Sequence, residues 1–215
     1  MNLRKTLFFL TATCLALGAL GLVARHNEIA VDPVERERVV ALIHHYNSAL
    51  PAEEKERLVT SIFEQAERLE LPAHYEIGGE PIYGPYLVAA FIKTESAFHR
   101  YAVSHADARG YMQLKPDTVA WMDTVNGTNT STPQIFTPET NLARGVEYIS
   151  YLSEQFGTIR EVCLAYNAGP GALRKGIFIP SYWESIRDTY LALKKGELPT
   201  KTWDYDKQFA DHYEI

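Results

Sequence analysis

Cysteine is nearly absent. The chain of 215 residues has two, and Cys14 falls within an apolar N-terminal leader, so Cys163 stands alone beyond it. No disulfide can form inside the body of the protein, and no Cys/His spacing of the zinc type occurs. Cys163 lies between Val162 and Leu164 in "IREVCLAYN" and reads as a small buried hydrophobe, not as a nucleophile. Positive charge is also short: 21 Lys and Arg stand against 27 Asp and Glu, for a formal net charge of −6. With no long basic run, the balance argues against a nucleic-acid partner. Strand-type alternation never extends past four residues, and no internal repeat is found, so an all-β architecture is excluded and the fold class reads as mainly α.

One long apolar run is present. Arg4 and Lys5 precede Leu7 to Ala24, which is the charge-then-apolar order of a secretory signal or signal anchor. An uncleaved anchor over residues 4–24 is favoured, although the apolar stretch is at the short end for spanning a bilayer. Lipidation at Cys14 fits poorly, because Thr11-Ala12-Thr13 precedes it and further apolar residues follow. Either form of leader places the remainder outside the cytoplasm, in the periplasm or beyond. The 13 tyrosines and 3 tryptophans suit stacking on sugars, although packing accounts for most of them.

The body reads as helices. Val34 to Ser48 forms the first, with Val39, Ile43 and Tyr46 inward; His44-His45 on it reads as surface or partly buried, not as a metal site. Pro51 opens the second, with Glu53 and Glu54 near its positive end and a stripe of Leu58, Ile62, Ala66 and Leu69. "IGGEPIYGP" reads as a linker. Pro85 starts a helix on which Leu87, Phe91, Glu95 and Phe98 share one face, widened by Ala90 and Thr94. Pro116 opens another. Thr140-Asn141 caps a helix whose stripe runs Leu142, Gly145, Val146, Ile149, Leu152 and Phe156, ending at Gly157. Thr158 caps the next, broken by "NAGPG". Ile179-Pro180 introduces the last, with Tyr182, Ile186 and Tyr190 in register. This divides the chain into a leader (1–30), a two-helix N-terminal extension (31–76), a larger helical domain (77–195) and a polar, aromatic tail (196–215).

Glu95 is the anomaly. An ionised carboxylate on an apolar stripe is costly unless paired or protonated. Lys93 points to another face, and Arg100 and Arg109 reach it only if the chain folds back. An apolar site would raise its pKa and hold a proton near neutral pH, as a general acid requires. Downstream stand Ala102-Val103-Ser104, Gly110-Tyr111-Met112-Gln113 and Ala165-Tyr166-Asn167-Ala168-Gly169-Pro170-Gly171. With Glu95-Ser96 ahead of them, these motifs resemble the soluble lytic transglycosylase type of peptidoglycan enzymes, whose fold is related to goose-type lysozyme. The likeness runs from about Tyr83 to Leu193, and the Tyr182-Trp183 helix looks like that family's closing helix.

The resemblance implies a lysozyme-like helical domain that cuts peptidoglycan glycan strands without metal or cofactor. Glu95 matches the single catalytic acid/base. Ser104 and Gln113 match residues that bind the sugar or orient the glutamate, Tyr166 the tyrosine beside it, and Asn167 its neighbour in the motif; Tyr166 is expected to donate a hydrogen bond to Glu95 or to the substrate. Gly110, Gly169 and Gly171 read as backbone positions needing positive φ or close approach. Tyr111 departs from the usual Leu, and Lys115 stands where many members have Met, a site suited to an anionic part of the substrate. No second carboxylate falls in a matching motif; Asp107, Asp117 and Glu139 are candidates by exclusion only. The expected reaction is non-hydrolytic, closing a 1,6-anhydro ring. The alternatives are a hydrolytic muramidase of the same fold and a non-catalytic glycan-binding module. The N-terminal helices leave room for a protein partner.

Overall fold

A computed structural model describes residues 31–200. The leader expected over 1–30, with its anchor, and the tail from 201 onward lie outside the described residues. Among the described residues, no helix is long and apolar enough to cross a membrane. Residues 32–200 fall in one compact unit, built almost wholly of helices: α1 (Pro33–Tyr46), α2 (Ala52–Ala66), α3 (Gly84–Ser96), α4 (Pro116–Asn126), α5 (Pro138–Ser153), α6 (Ile159–Ala168), α7 (Pro170–Arg174) and α8 (Pro180–Lys195). A single 3₁₀ turn, Gln134–Phe136, precedes α5.

Local chemistry sets most of the boundaries. Proline occupies the first or second position of α1, α3, α4, α5, α7 and α8, where its missing N–H costs nothing. Asp32 caps α1 through Val34 N at 2.8 Å, and Thr158 caps α6 through Glu161 N at 3.2 Å, as expected. The cap of α5 is Thr137, not Thr140-Asn141: its hydroxyl accepts from Thr140 N, because Pro138 can start the helix a turn earlier. That helix ends at Ser153 rather than at Gly157. The supposed linker is a hairpin. Glu76–Ile77 (β1) pairs antiparallel with Glu80–Pro81 (β2), and Gly78 and Gly79, at φ 69° and 80°, make the two-residue turn that needs left-handed backbone.

The centre of the unit is α3. It packs against α8, α2 and α1, while α2 also packs on α5, and α6 on α5, α7 and α8. Every residue of α3 from Pro85 to Ser96 is buried except Glu95. The sequence reading of one apolar stripe was therefore too narrow, since neighbours cover the helix all round. Leu87, Phe91, Ile92 and Phe98 are fully enclosed, and each such side chain contributes about 1.5–3 kcal/mol. Even Lys93 is buried, donating to Ser185 Oγ on α8 at 3.0 Å.

The two N-terminal helices brace this centre. The Tyr111 hydroxyl donates to Glu54 Oε1 on α2 at 2.6 Å, and Arg100 lies 3.7 Å from the same carboxylate. A leucine at 111 could not reach across, so the tyrosine hydroxyl links the loop after α3 to α2. Tyr111→Phe should lower the stability of the unit by about 1–2 kcal/mol, because it removes a hydrogen bond to a charged partner. Urea unfolding should show a lower midpoint with an unchanged slope.

Candidate active site

The chain leaves α3 through two residues in left-handed backbone, Ala97 (φ 47°) and Phe98 (φ 65°). This sharp exit lets residues 99–115 fold back beside the end of the helix. Ser96 Oγ fixes the return by donating to Tyr111 O at 2.8 Å. Two antiparallel bridges, Val103 with Arg109 and Arg109 with Leu114, hold the loop on itself.

Asn141 is the hidden brace. It is fully buried on α5 and binds three backbone groups: its Oδ1 accepts from Met112 N at 2.7 Å, and its Nδ2 donates to Arg109 O at 3.1 Å and Ile135 O at 2.9 Å. The packing demands small neighbours. A Cβ at Gly110 would lie 2.4 Å from Asn141 Nδ2, and one at Gly145 would lie 2.2 Å from Met112 Sδ. Gly169 has the expected positive φ of 85°, but Gly171 shows neither positive φ nor a close neighbour.

The five residues singled out in the sequence meet here. Glu95, Ser104, Gln113, Tyr166 and Asn167 all line one cleft of about 350 Å³, together with Lys115, Thr118 and Tyr148. Gln113 sits at φ 47°, and its Nε2 donates to Ala102 O at 2.9 Å and to Gly110 O at 3.0 Å. Those bonds use both amide hydrogens and leave Oε1 for a ligand. Ser104 Oγ accepts from Ala108 N at 3.1 Å, which leaves its own hydroxyl hydrogen. Asn167 is exposed, one residue before the end of α6.

Glu95 differs from the sequence expectation in one respect. Its hydrogen-bond partner is not Tyr166 but Tyr182, on the first turn of α8, whose hydroxyl donates to Glu95 Oε1. Tyr166 instead donates to Met112 O at 2.8 Å, so it holds the loop while its ring packs 5.0 Å from that of Phe91. Periodicity could not distinguish the two tyrosines, because both lie on inward faces. Only the packing of α8 on α3 decides which one meets the carboxyl.

Burial raises the pKa of Glu95 from 4.5 to about 7, and the Tyr182 hydrogen bond pulls the other way. Burial, and then the nearby Glu95, push both Tyr166 and Tyr182 upward, so both phenols remain donors. Arg100 and Arg109 do not pair with Glu95. Arg100 Nε donates to Phe136 O at 2.7 Å, and Arg109 pairs with Asp107 at 2.8 Å. Of the three carboxylates considered by exclusion, Glu139 is held by Arg57 at 3.0 Å, Asp107 by Arg109, and Asp117 is exposed on α4. None lines the cleft. Among the described residues that do, Glu95 is the only carboxyl.

The same segment is similar to known proteins. Residues 80–180 match the family model described as "Transglycosylase SLT domain". A soluble lytic murein transglycosylase of Escherichia coli (strain K12) is 38% identical over 89 residues, covering 40% of this chain and 14% of that protein. A membrane-bound lytic murein transglycosylase C of Edwardsiella ictaluri is 35% identical over 98 residues, covering 40% of this chain and 27% of that one. The chain thus spans well under a third of the length of these relatives. The crystal structure of the 70 kDa soluble lytic transglycosylase from Escherichia coli aligns over 76% of this chain and 28% of its own at 21% identity, with a TM-score of 0.45.

Because folding raises the Glu95 pKa, the unit should lose stability as pH rises from about 4.5 to about 7. Glu95→Gln should remove that part of the pH dependence in unfolding curves. Infrared spectroscopy of the carboxyl band should place the titration near pH 7, and Tyr182→Phe, by deleting the bond that favours the anion, should move it higher. A titration at the ordinary carboxylate pH would refute this reading of the site.

Proposed function

We propose that this chain, whose residues 80–180 match the family model described as "Transglycosylase SLT domain", is a peptidoglycan lytic transglycosylase. It would cleave the β-1,4 bond between N-acetylmuramic acid and N-acetylglucosamine without consuming water. The observation that carries the proposal is the solitary carboxyl of the cleft, which burial keeps protonated up to about pH 7.

Cutting a glycosidic bond requires protonating the leaving oxygen and stabilising a cationic ring carbon, and most glycosidases divide the work between two carboxylates. With one, the substrate must supply the other half. Protonated Glu95 gives its proton to the bridging oxygen, and the C1–O bond breaks. The 2-acetamido carbonyl of the muramyl sugar stabilises C1. Glu95, now ionised, removes the proton from the C6 hydroxyl, and O6 bonds to C1 to close a 1,6-anhydro ring. One proton leaves Glu95 and one returns, so the balance needs no water. Tyr182 serves the second state: its hydroxyl steadies the carboxylate once the proton has gone.

Ser104, Gln113 and Asn167, all lining the cleft, offer neutral hydrogen-bonding groups to the sugars. The ammonium of Lys115, exposed on the cleft wall, suits a carboxylate of a muramyl group or peptide stem. The leader over residues 4–24 would hold this domain at the outer face of the cytoplasmic membrane, facing the wall it cuts.

Purified protein acting on peptidoglycan should release fragments with anhydro-muramyl ends, lighter than reducing ends by one water in mass spectrometry. Reducing ends would identify a muramidase, and absence of cleavage with strand binding would identify a glycan-binding module. The rate should fall as pH rises through about 7, because the acid must begin protonated.

A further inference from the structure

The cleft has a second aromatic feature that its chemistry does not use. Thr118 on α4 and Tyr148 on α5 line the cleft. Three residues further along each helix, on the same face, stand Trp121 and Tyr151. These two rings meet with centroids 4.5 Å apart. Tyr151 also lies nearly parallel to Tyr148, at 6.2 Å and an interplanar angle of 16°, and Tyr148 in turn packs 5.3 Å from Tyr166 beside Glu95. A continuous row of rings, Tyr166, Tyr148, Tyr151 and Trp121, therefore runs from the reacting carboxyl to the surface.

The outer members of the row are open to solvent. Trp121 is 39% exposed and Tyr151 37%. Val125, one turn beyond Trp121 on α4, is exposed as well. Trp121, Tyr151 and Val125 together leave exposed apolar surface beside the cleft, and contiguous surface of that kind marks binding where single exposed residues do not. The inner cleft, about 350 Å³, is at the small end of ligand sites. Any polysaccharide cut at Glu95 must continue beyond it, and the Trp121–Tyr151 face is continuous with the cleft through Tyr148.

We propose that Trp121 and Tyr151 form an outer glycan subsite on which a sugar ring of the same strand stacks its apolar C–H face, several residues away from the bond being cut. This rests on the reading of the cleft as a glycan site. The flat rings lose little side-chain freedom on contact and are sequence-tolerant platforms. The subsite adds affinity for long strands and contributes nothing to the chemical step, since no member of the outer pair touches Glu95.

The test uses the full chain carrying Glu95→Gln, so that strands are bound rather than cut, with glycan strands prepared from peptidoglycan and sorted by length as the probe. Adding Trp121→Ala or Tyr151→Ala should weaken binding of long strands about three- to tenfold and leave strands short enough to fit the cleft unaffected. Trp121→Phe, which keeps a ring, should recover most of the loss. An equal loss at both lengths, or no loss at either, overturns the subsite. Cleavage by the unsubstituted chain, measured alongside, judges the enzymatic reading separately. A chain that does not cut, yet shows the length-dependent loss, keeps the subsite and forfeits the transglycosylase assignment.

Discussion

The structure depends on the enclosure of one helix. Helix α3 is surrounded by α1, α2 and α8, and from Pro85 to Ser96 only Glu95 escapes full burial. A carboxyl in that position has few ways to be ionised, because it is largely enclosed and no guanidinium or ammonium among the described residues pairs with it. The same packing that stabilises the fold sets the acidity of the site. The first turn of α8 adds a polar contact, through Tyr182. Core and chemistry are thus a single arrangement, and replacing residues around α3 should disturb both together.

The loop that faces Glu95 is held by bonds to backbone rather than by side-chain packing alone. Ser96, Asn141 and Tyr166 fasten the carbonyls and N–H groups of residues 109–112 from three helices. Buried polar groups of this kind are costly unless satisfied, and here each one is. The result is a cleft wall whose hydrogen-bonding groups are positioned before a ligand arrives, which lowers the cost of ordering it. Tyr111 extends the network to Glu54 on α2, so the N-terminal helices belong to the support of the site.

Much of this could be read from residue order. The mainly helical architecture, the proline-led starts of α4 and α8, and the convergence of Glu95, Ser104, Gln113, Tyr166 and Asn167 on one cleft were all accessible from motif and spacing. What escaped were features set by tertiary packing. The glycines at 78 and 79 looked like a linker because a two-residue hairpin leaves almost no strand pattern. Asn141 looked like a cap, whereas its amide is spent on a loop 29 to 32 residues away in sequence. Tyr182 and Tyr166 have the same inward periodicity, and only the docking of α8 against α3 separates the tyrosine that binds Glu95 from the one that binds the loop. The row ending at Trp121 and Tyr151 was equally hidden, since it joins helices α4 and α5 from different parts of the chain.

The central claim is that the carboxyl proton of Glu95 performs the cleavage. The most direct measurement is turbidity clearing of peptidoglycan suspensions by Glu95→Gln, with strand binding followed in parallel. Removing the proton donor while keeping its shape should cost about 10²–10⁴-fold in clearing rate and leave binding intact. Clearing at the unsubstituted rate would contradict the account.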